Sequence, residues 1–481
     1  MYHISDIKKF IRCERLYHLS KDAISEFKPY LRSDESIIDL VIKYLKIDRY
    51  FLGERNDIPE RFFNNINDYD WFVRTRFMDH DLRINIPVVH KVEGGYDLYY
   101  LYSNTSLKEL DKLTYSIGFN MLNKQGIIVN NIYIIYLNSD YVMEDELDVD
   151  ELFVCIDEYK NKKIIDIVSK NDFDYETVID NIEKSNGLDI EPKKCKYCKQ
   201  NGLCDFYNVC FKEEVVPDDS ILSLVSSKYK NEMYEEGIVN LKDADLSRIE
   251  GNRVQYAQIM ASKNGGLFVD KLALGKWLEK INVRPISFID FEWDRYLIPP
   301  YKSMKPMDVL CFEFALYYID ENGHMEHKTF VGKKDCRKEF VLELIKNLPK
   351  EGPVLAYNAD GAECLRLKEL SIMYPEYKQE LESINSRFID LATPFIEGLI
   401  YDTRMQGNYT LKRIVDICSD YSYKNLDIYD GMEAVYNWRN IDKGTLDNDE
   451  KTINDLKEYC SLDAYGLFLV YKWLIEVMIN K

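Results

Sequence analysis

The sequence predicts an α/β protein whose C-terminal part is built on a mixed sheet. Three observations carry this. The runs Ile286–Trp293, Val309–Ile319 and Lys328–Val331 are rich in β-branched and aromatic residues. A helix at about 336–348, a strand over Val354–Tyr357 and a helix at about 362–373 then alternate. The remainder is mostly helical and ends in an amphipathic segment from about 451 to 478. Strands, then alternation, then helices suit a sheet with helices layered on it.

A chain of 481 residues has room for about three domains. Four cysteines fall within residues 195–210, after a polar run over 181–194 and before the acidic segment 213–220. This places one boundary near residue 215. From Ile221 to Ile281 the chain reads as several short helices, and the β-rich pattern begins just after it. The expected division is therefore 1–215, a helical connector over 216–281, and 282–481. Residues 237–258 of the connector have the length and turn of a helix-hairpin-helix, a module that contacts phosphates through backbone N–H groups. The alternative is a plain helical linker.

Composition excludes several classes. With 46% hydrophobic and 13% aromatic residues, the chain has ample apolar area for real cores and is not disordered. Sixty-three Lys and Arg stand against 83 Asp and Glu, a net charge of −20. That balance argues against a general nucleic-acid coat protein, whose affinity comes from neutralising phosphates. Any strand must be held by local patches such as Lys193-Lys194-x-Lys196 or Lys412-Arg413. The apolar run Leu467–Ile479 is broken by Lys472 and Glu476, so no membrane partner is expected. The opening segment carries charges where a signal peptide needs an apolar core. A cytoplasmic protein is expected, with its 11 cysteines as reduced thiols or metal ligands.

The carboxylates of the C-terminal part form an ordered pattern. Asp290 and Glu292 are two apart on a predicted strand and share one face. Such a pair stays ionised only with solvent, cations or metal nearby. Asn358 leaves the strand Val354–Tyr357 and is followed by Asp360 and Glu363 at a helix start. Tyr459 and Asp463 are four apart and share a helical face.

This three-part pattern resembles the DEDD exonucleases, the DnaQ-like branch of the RNase H-like superfamily. There, carboxylates hold two divalent cations that activate a water and stabilise charge on the phosphate. The resemblance implies two Mg²⁺ or Mn²⁺ ions. It implies Asp290, Glu292 and Asp463 as metal ligands and Asp290, Glu292, Glu363, Tyr459 and Asp463 as the catalytic set. The third motif of the family carries a His or a Tyr. The last of six histidines here is His327, so only the Tyr subtype fits. Tyr459 would then orient the attacking water. The family's usual second-motif acid position is Ala362 here, with Asp360 and Glu363 on either side. Glu363 is preferred because Leu365–Leu370 continues the helix in register, and Asp360 stays open. Asp390 is a further acid with a structural or auxiliary role. The segment Gly407-Asn408-Tyr409-Thr410-Leu411-Lys412 is also family-like. It makes Lys412 and Arg413, with Asn358, candidate contacts for nucleic acid.

Cys195-x2-Cys198-x5-Cys204-x5-Cys210 has the density of a metal site. Four thiolates suit zinc or an iron–sulfur cluster. The segment from Ser5 to Tyr17, which includes Cys13, resembles the opening of RecB-like nucleases that carry an iron–sulfur staple. In those proteins one early cysteine joins three late ones. The resemblance implies a [4Fe–4S] cluster held by Cys13 and three of Cys195, Cys198, Cys204 and Cys210, with zinc as the alternative. Where that family has the catalytic Glu-x-Lys, this chain has Tyr100 and Tyr102. Neither replaces a metal ligand or a cation, and Asp97 is at most a displaced remnant. The chain also resembles an uncharacterised bacterial domain family pairing a RecB-like half with a DnaQ-like half. The expectation is therefore a degenerate RecB-like domain, a helical module and an RNase H-like exonuclease domain. The expected function is a 3′–5′ exonuclease acting on single-stranded DNA or RNA. A catalytically inactive nucleic-acid-binding or scaffold subunit is the alternative.

Overall fold

Six strands of the N-terminal part form one sheet in the order in which they occur. They are β1 (Phe51–Leu52), β2 (Trp71–Asp79), β3 (Leu82–Val92), β4 (Gly95–Tyr102), β5 (Val129–Leu137) and β6 (Phe153–Ile156). The computed structural model describes residues 1–21, 30–193, 198, 204–212, 217–421, 428, 430–442 and 449–479. β2, β3 and β4 run as an antiparallel meander, whereas β4 and β5 are parallel. A parallel pair needs a crossover, and helix α1 (Lys112–Lys124) supplies it. Asp111 caps α1, accepting from the Thr114 backbone N–H and hydroxyl.

Alternation along β4 fills both faces of this sheet. Leu98 and Tyr100 enter one cluster and Tyr99 the other. Together with residues 295–308, residues 1–193 make up one compact unit; the second comprises residues 194–294 and 309–481.

The second unit holds a five-stranded sheet. Its strands are β8 (Ile286–Arg295), β9 (Val309–Ile319), β10 (Met325–Val331), β11 (Val354–Ala356) and β12 (Phe388–Asp390), in the order β10-β9-β8-β11-β12. β8, β11 and β12 are parallel, with Ser287 opposite Val354 and Ala356 opposite Asp390. β9 and β10 are an antiparallel pair with Glu313 opposite Val331. The sheet is mixed, and the whole chain is mixed α/β.

Helices cover both faces. Ile289 and Phe291 of β8 pack with Phe340 and Leu344 of α3 (Arg337–Asn347) and Leu367 of α4 (Glu363–Met373). On the other face Ile286 and Phe288 pack with Leu467 and Tyr471 of the long final helix α7 (Asp449–Ile479). Helices α5 (Leu411–Cys418) and α6 (Gly431–Asp442) precede α7.

The segment read as a connector is sewn into this unit. Helix α2 (Arg253–Lys263) contributes Ala257 and Ala261 to the cluster containing Phe288. Strand β7 (Leu267–Val269) pairs antiparallel with β13 (Ile400–Asp402). Residues 237–258 form two single 3₁₀ turns and the start of α2.

No helix among the described residues is long and apolar enough to cross a membrane.

Candidate metal and active site

β8 and α7 bring the predicted acids together for a simple reason. Along β8, Phe288 faces α7, its ring 5.5 Å from that of Tyr471. Strand alternation then points Asp290 and Glu292 at the same helix. Along α7, Leu456, Cys460, Ala464, Leu467, Tyr471 and Leu474 form the buried stripe. Tyr459 and Asp463 lie on that stripe, so the helical period aims them back at the strand. Carboxylate oxygens of Asp290, Glu292 and Asp463 lie within 4.8 Å of one another. Among the described residues this is the one group of three or more potential ligand side chains that converge.

The surroundings oppose charge. Burial raises the Asp290 carboxyl well above its ordinary value, and the charges of Asp463, Glu292 and Glu363 raise it further. Burial likewise raises Glu292, with Asp463 and Glu313 adding to the effect and Lys412 opposing it. Tyr459 is 3% exposed, and burial followed by the charge of Asp463 pushes its phenol far up. The Lys412 ammonium donates to the Tyr459 hydroxyl at 3.3 Å and sits 5.0 Å from its ring centroid. Arg413 donates to the Arg404 carbonyl.

Glu363 opens α4 and is 2% exposed, and its Oε2 has no hydrogen-bond partner among the described residues. Burial pushes its carboxyl up to about 8. Asp360 is exposed. The turn between β11 and α4 depends on Asn358, which is exposed and left-handed at φ +57°. Asp390 of β12 fixes that turn by accepting the Asn358 N–H at 2.9 Å and the Ala392 N–H at 2.8 Å.

Three features were not singled out in the sequence. Glu313 of β9 is fully buried, and neither carboxylate oxygen has a hydrogen-bond partner among the described residues. Its signal was an acid within the apolar run Val309–Ile319. The Cys460 thiol lies 3.6 Å from Asp290 Oδ2. Gly431 starts α6 beside the acids, where an added Cβ would stand 3.5 Å from Glu292 Oε2 and 3.9 Å from the Tyr459 hydroxyl.

The cysteine cluster is only partly described, because Cys195 lies outside the described residues. Cys13 sits between helical segments Ile4–Arg12 and Glu14–Lys21 of the first unit. Cys198, Cys204 and Cys210 are half-buried and do not form a group of mutually close donors among the described residues. In the first unit Tyr100 is core, with its ring 4.5 Å from that of Tyr115. Tyr102 is half-buried. Asp97 is half-buried on β4 opposite His90 and Asn131.

Residues 287–410 match the family described as Domain of unknown function (DUF2779). The match takes in Asp290, Glu292, Asn358 and Glu363 and ends before Lys412, Tyr459 and Asp463. No curated protein and no solved structure matches the chain.

Proposed function

We propose that the second unit is a metal-dependent 3′–5′ exonuclease of the DEDD class with a tyrosine in its third motif, built on an RNase H-like fold. The observation that carries this reading is the meeting of Asp290, Glu292 and Asp463 within 4.8 Å on the helix face that also bears Tyr459.

The residues suit divalent cations. The donor set is all oxygen, which matches Mg²⁺ or Mn²⁺. Buried carboxylates that raise one another's pKa are the arrangement a cation relieves. Glu363 offers an additional oxygen, Oε2, that meets no donor among the described residues. Asp290, Glu292 and Asp463 would hold one ion, and Glu363 would complete the set for a second. Such a pair, when bound, neutralises charge at a phosphate and makes hydroxide available near neutral pH.

The chain's own groups have separate tasks. Tyr459 stays a phenol at neutral pH, because burial and the neighbouring acids hold its proton on. It can therefore donate a hydrogen bond and orient a water for attack. Lys412 brings a positive charge beside that hydroxyl, where it suits a non-bridging phosphate oxygen. The buried stripe of α7 keeps bulk water from the far side of the acids. Asn358 stands at the exposed rim, where its amide can meet the strand.

For the first unit we propose a RecB-like layer that has lost its own catalysis and binds nucleic acid or acts as a scaffold. Its support is Tyr100, packed into the core at the position where the resembled nucleases carry a carboxylate.

The test offers Mn²⁺ and end-labelled single-stranded DNA or RNA to the full chain beside Asp290→Ala and Asp463→Ala variants. Degradation by the parent protein alone is expected. Equal, slow degradation by all three would remove the exonuclease reading.

A further inference from the structure

A pocket of about 390 Å³ opens between residues 222–230 and the loop 406–410, within the second unit. That is near the small end of ligand sites, which run from about 300 to 1,000 Å³. Its two walls are held together by a buried network. Gln258 is fully buried and donates to the Ser223 carbonyl at 2.9 Å and to the Tyr401 hydroxyl at 3.1 Å. Tyr401 in turn accepts the Gly407 N–H at 2.9 Å, and Gln258 Oε1 accepts the Val225 N–H at 2.9 Å. Gly407 has φ +77°, and a Cβ there would come within 2.4 Å of the Ser223 carbonyl oxygen. The walls can meet this closely only because residue 407 is glycine.

The pocket shares its backbone with the elements that carry the acids and Lys412. Asn358, at its edge, leads into the turn that places Glu363. The Tyr409 carbonyl accepts the Tyr357 hydroxyl. Thr410 on its rim is the N-cap position of α5, the helix that carries Lys412 to Tyr459. Its polar lining includes the amides of Asn358, Gln406 and Asn408, the hydroxyls of Ser226 and Thr410 and the ammonium of Lys230; Gln406 also donates to Asp218 at 2.6 Å and Lys230 to the Leu224 carbonyl at 3.4 Å. No carboxylate is among the described lining residues. Such a wall matches a neutral heterocycle with donors and acceptors on its edge, attached to a phosphate backbone.

We infer that this pocket seats one nucleobase of the bound strand, next to the nucleotide whose phosphate is at the carboxylates. The inference rests on the proposed nuclease reading and extends it: residues 222–230, which lie outside the five-stranded sheet, become part of the substrate site.

The test uses the full chain carrying Asp463→Asn, to prevent cleavage, and fluorescein-labelled 12-nucleotide single strands of DNA and RNA. One abasic position is moved along each strand, and affinity is read by anisotropy. A single position near the 3′ end should weaken binding about tenfold when its base is removed. Val225→Trp fills the pocket from one wall. It should weaken the intact strand about tenfold and leave the sensitive abasic strand unchanged. Thr410→Trp fills it from the other wall, where the Thr410 side chain caps nothing. It serves if the first variant melts early. A flat response along the strand, or filled variants that bind like the parent, would overturn the pocket. If the unsubstituted chain still degrades strands with Mn²⁺, the nuclease reading survives that failure. A sensitive position that couples to Val225→Trp without any Mn²⁺-dependent degradation would uphold the pocket and remove the nuclease reading. Absence of both binding and degradation would end both.

Discussion

Lys412 and Tyr459 stand 47 positions apart in the chain, and the ammonium of one lies 3.3 Å from the hydroxyl of the other. The contact ties α5 to α7 at the mouth of the carboxylate group. Lys412→Met keeps the apolar stem and removes the charge. It should slow Mn²⁺-dependent degradation about 100–1,000-fold, in line with the loss of one charged donor at a reacting phosphate. Lys412→Arg should restore part of the rate. Single-turnover rates with a labelled strand check both, and a Lys412→Met protein that retains the parent rate would remove the residue from the site.

Removing charge from the cluster should separate stability from activity. Asp290→Asn deletes one of the repelling carboxylates. Degradation should fall by at least about a thousandfold, while the metal-free protein melts at the parent temperature or above it. Thermal melts in EDTA beside activity in Mn²⁺ give the two readings. A variant that melts far below the parent would show Asp290 to be structural.

The raised acids also set a pH dependence. Glu363 has a folded value of about 8 against an ordinary value of 4.5. Between those values the folded state binds the extra proton, so the slope of unfolding free energy with pH is negative. The stabilising contribution is whole below about pH 4.5 and is lost as pH rises toward 8. In EDTA the melting temperature should therefore fall over that window, and Glu363→Gln should flatten the fall. Divalent metal should do the same by favouring the ionised form. A melting temperature that rises steadily from pH 5 to 8 would contradict the placement of Glu363.

Asp294 and Arg439 form a two-pronged ion pair at 2.6 and 3.0 Å, with side chains 0% and 8% exposed. The pair anchors α6 to the end of β8. Arg439→Ala takes this counter-charge from a buried aspartate and should cost about 3–5 kcal/mol. Adding Asp294→Leu should recover much of that loss, because both charges are then gone. Urea unfolding of the two variants provides the measurement.

The cysteines carry an independent prediction. Protein purified without air should be brown, with broad visible absorption and iron in proportion to chain, as thiolate-bound iron gives. Serine at Cys198 or Cys204 should bleach it. A colourless protein with one zinc per chain would move the assignment to zinc and keep the thiols as ligands.

The sequence made some of this legible and hid the rest, for physical reasons. Asp290 and Glu292 follow from a period of two on a strand, and Tyr459 and Asp463 from a spacing of four on a helix. Both are local rules. The strands and helices of residues 286–373 were readable in the same way, and observed ends differ from expected ones by a few residues, as at Met325 and Ala356. Helix register in the sequence favours Glu363 over Asp360 without deciding between them, because which is buried depends on a left-handed Asn358 held by Asp390 from another strand. The pairing of Asp294 with Arg439 across 145 positions leaves no periodic trace. Glu313 did leave one, an acid within an apolar strand, but its relation to Glu292 appears only once β9 lies beside β8.

The pairing of β7 with β13 bears on what can be cut out of this chain. The stretch 287–410 matches a family model, but it does not hold its own cover. Phe288 and Leu355 are shielded by Trp277 and Leu278 from before the stretch and by Leu467 and Leu474 from after it. An excised 287–410 would present that apolar face to water and lack Tyr459 and Asp463. The matched stretch and a piece able to cover its own core therefore have different borders in this protein. The smallest piece worth expressing begins upstream of β7 and keeps the last helix.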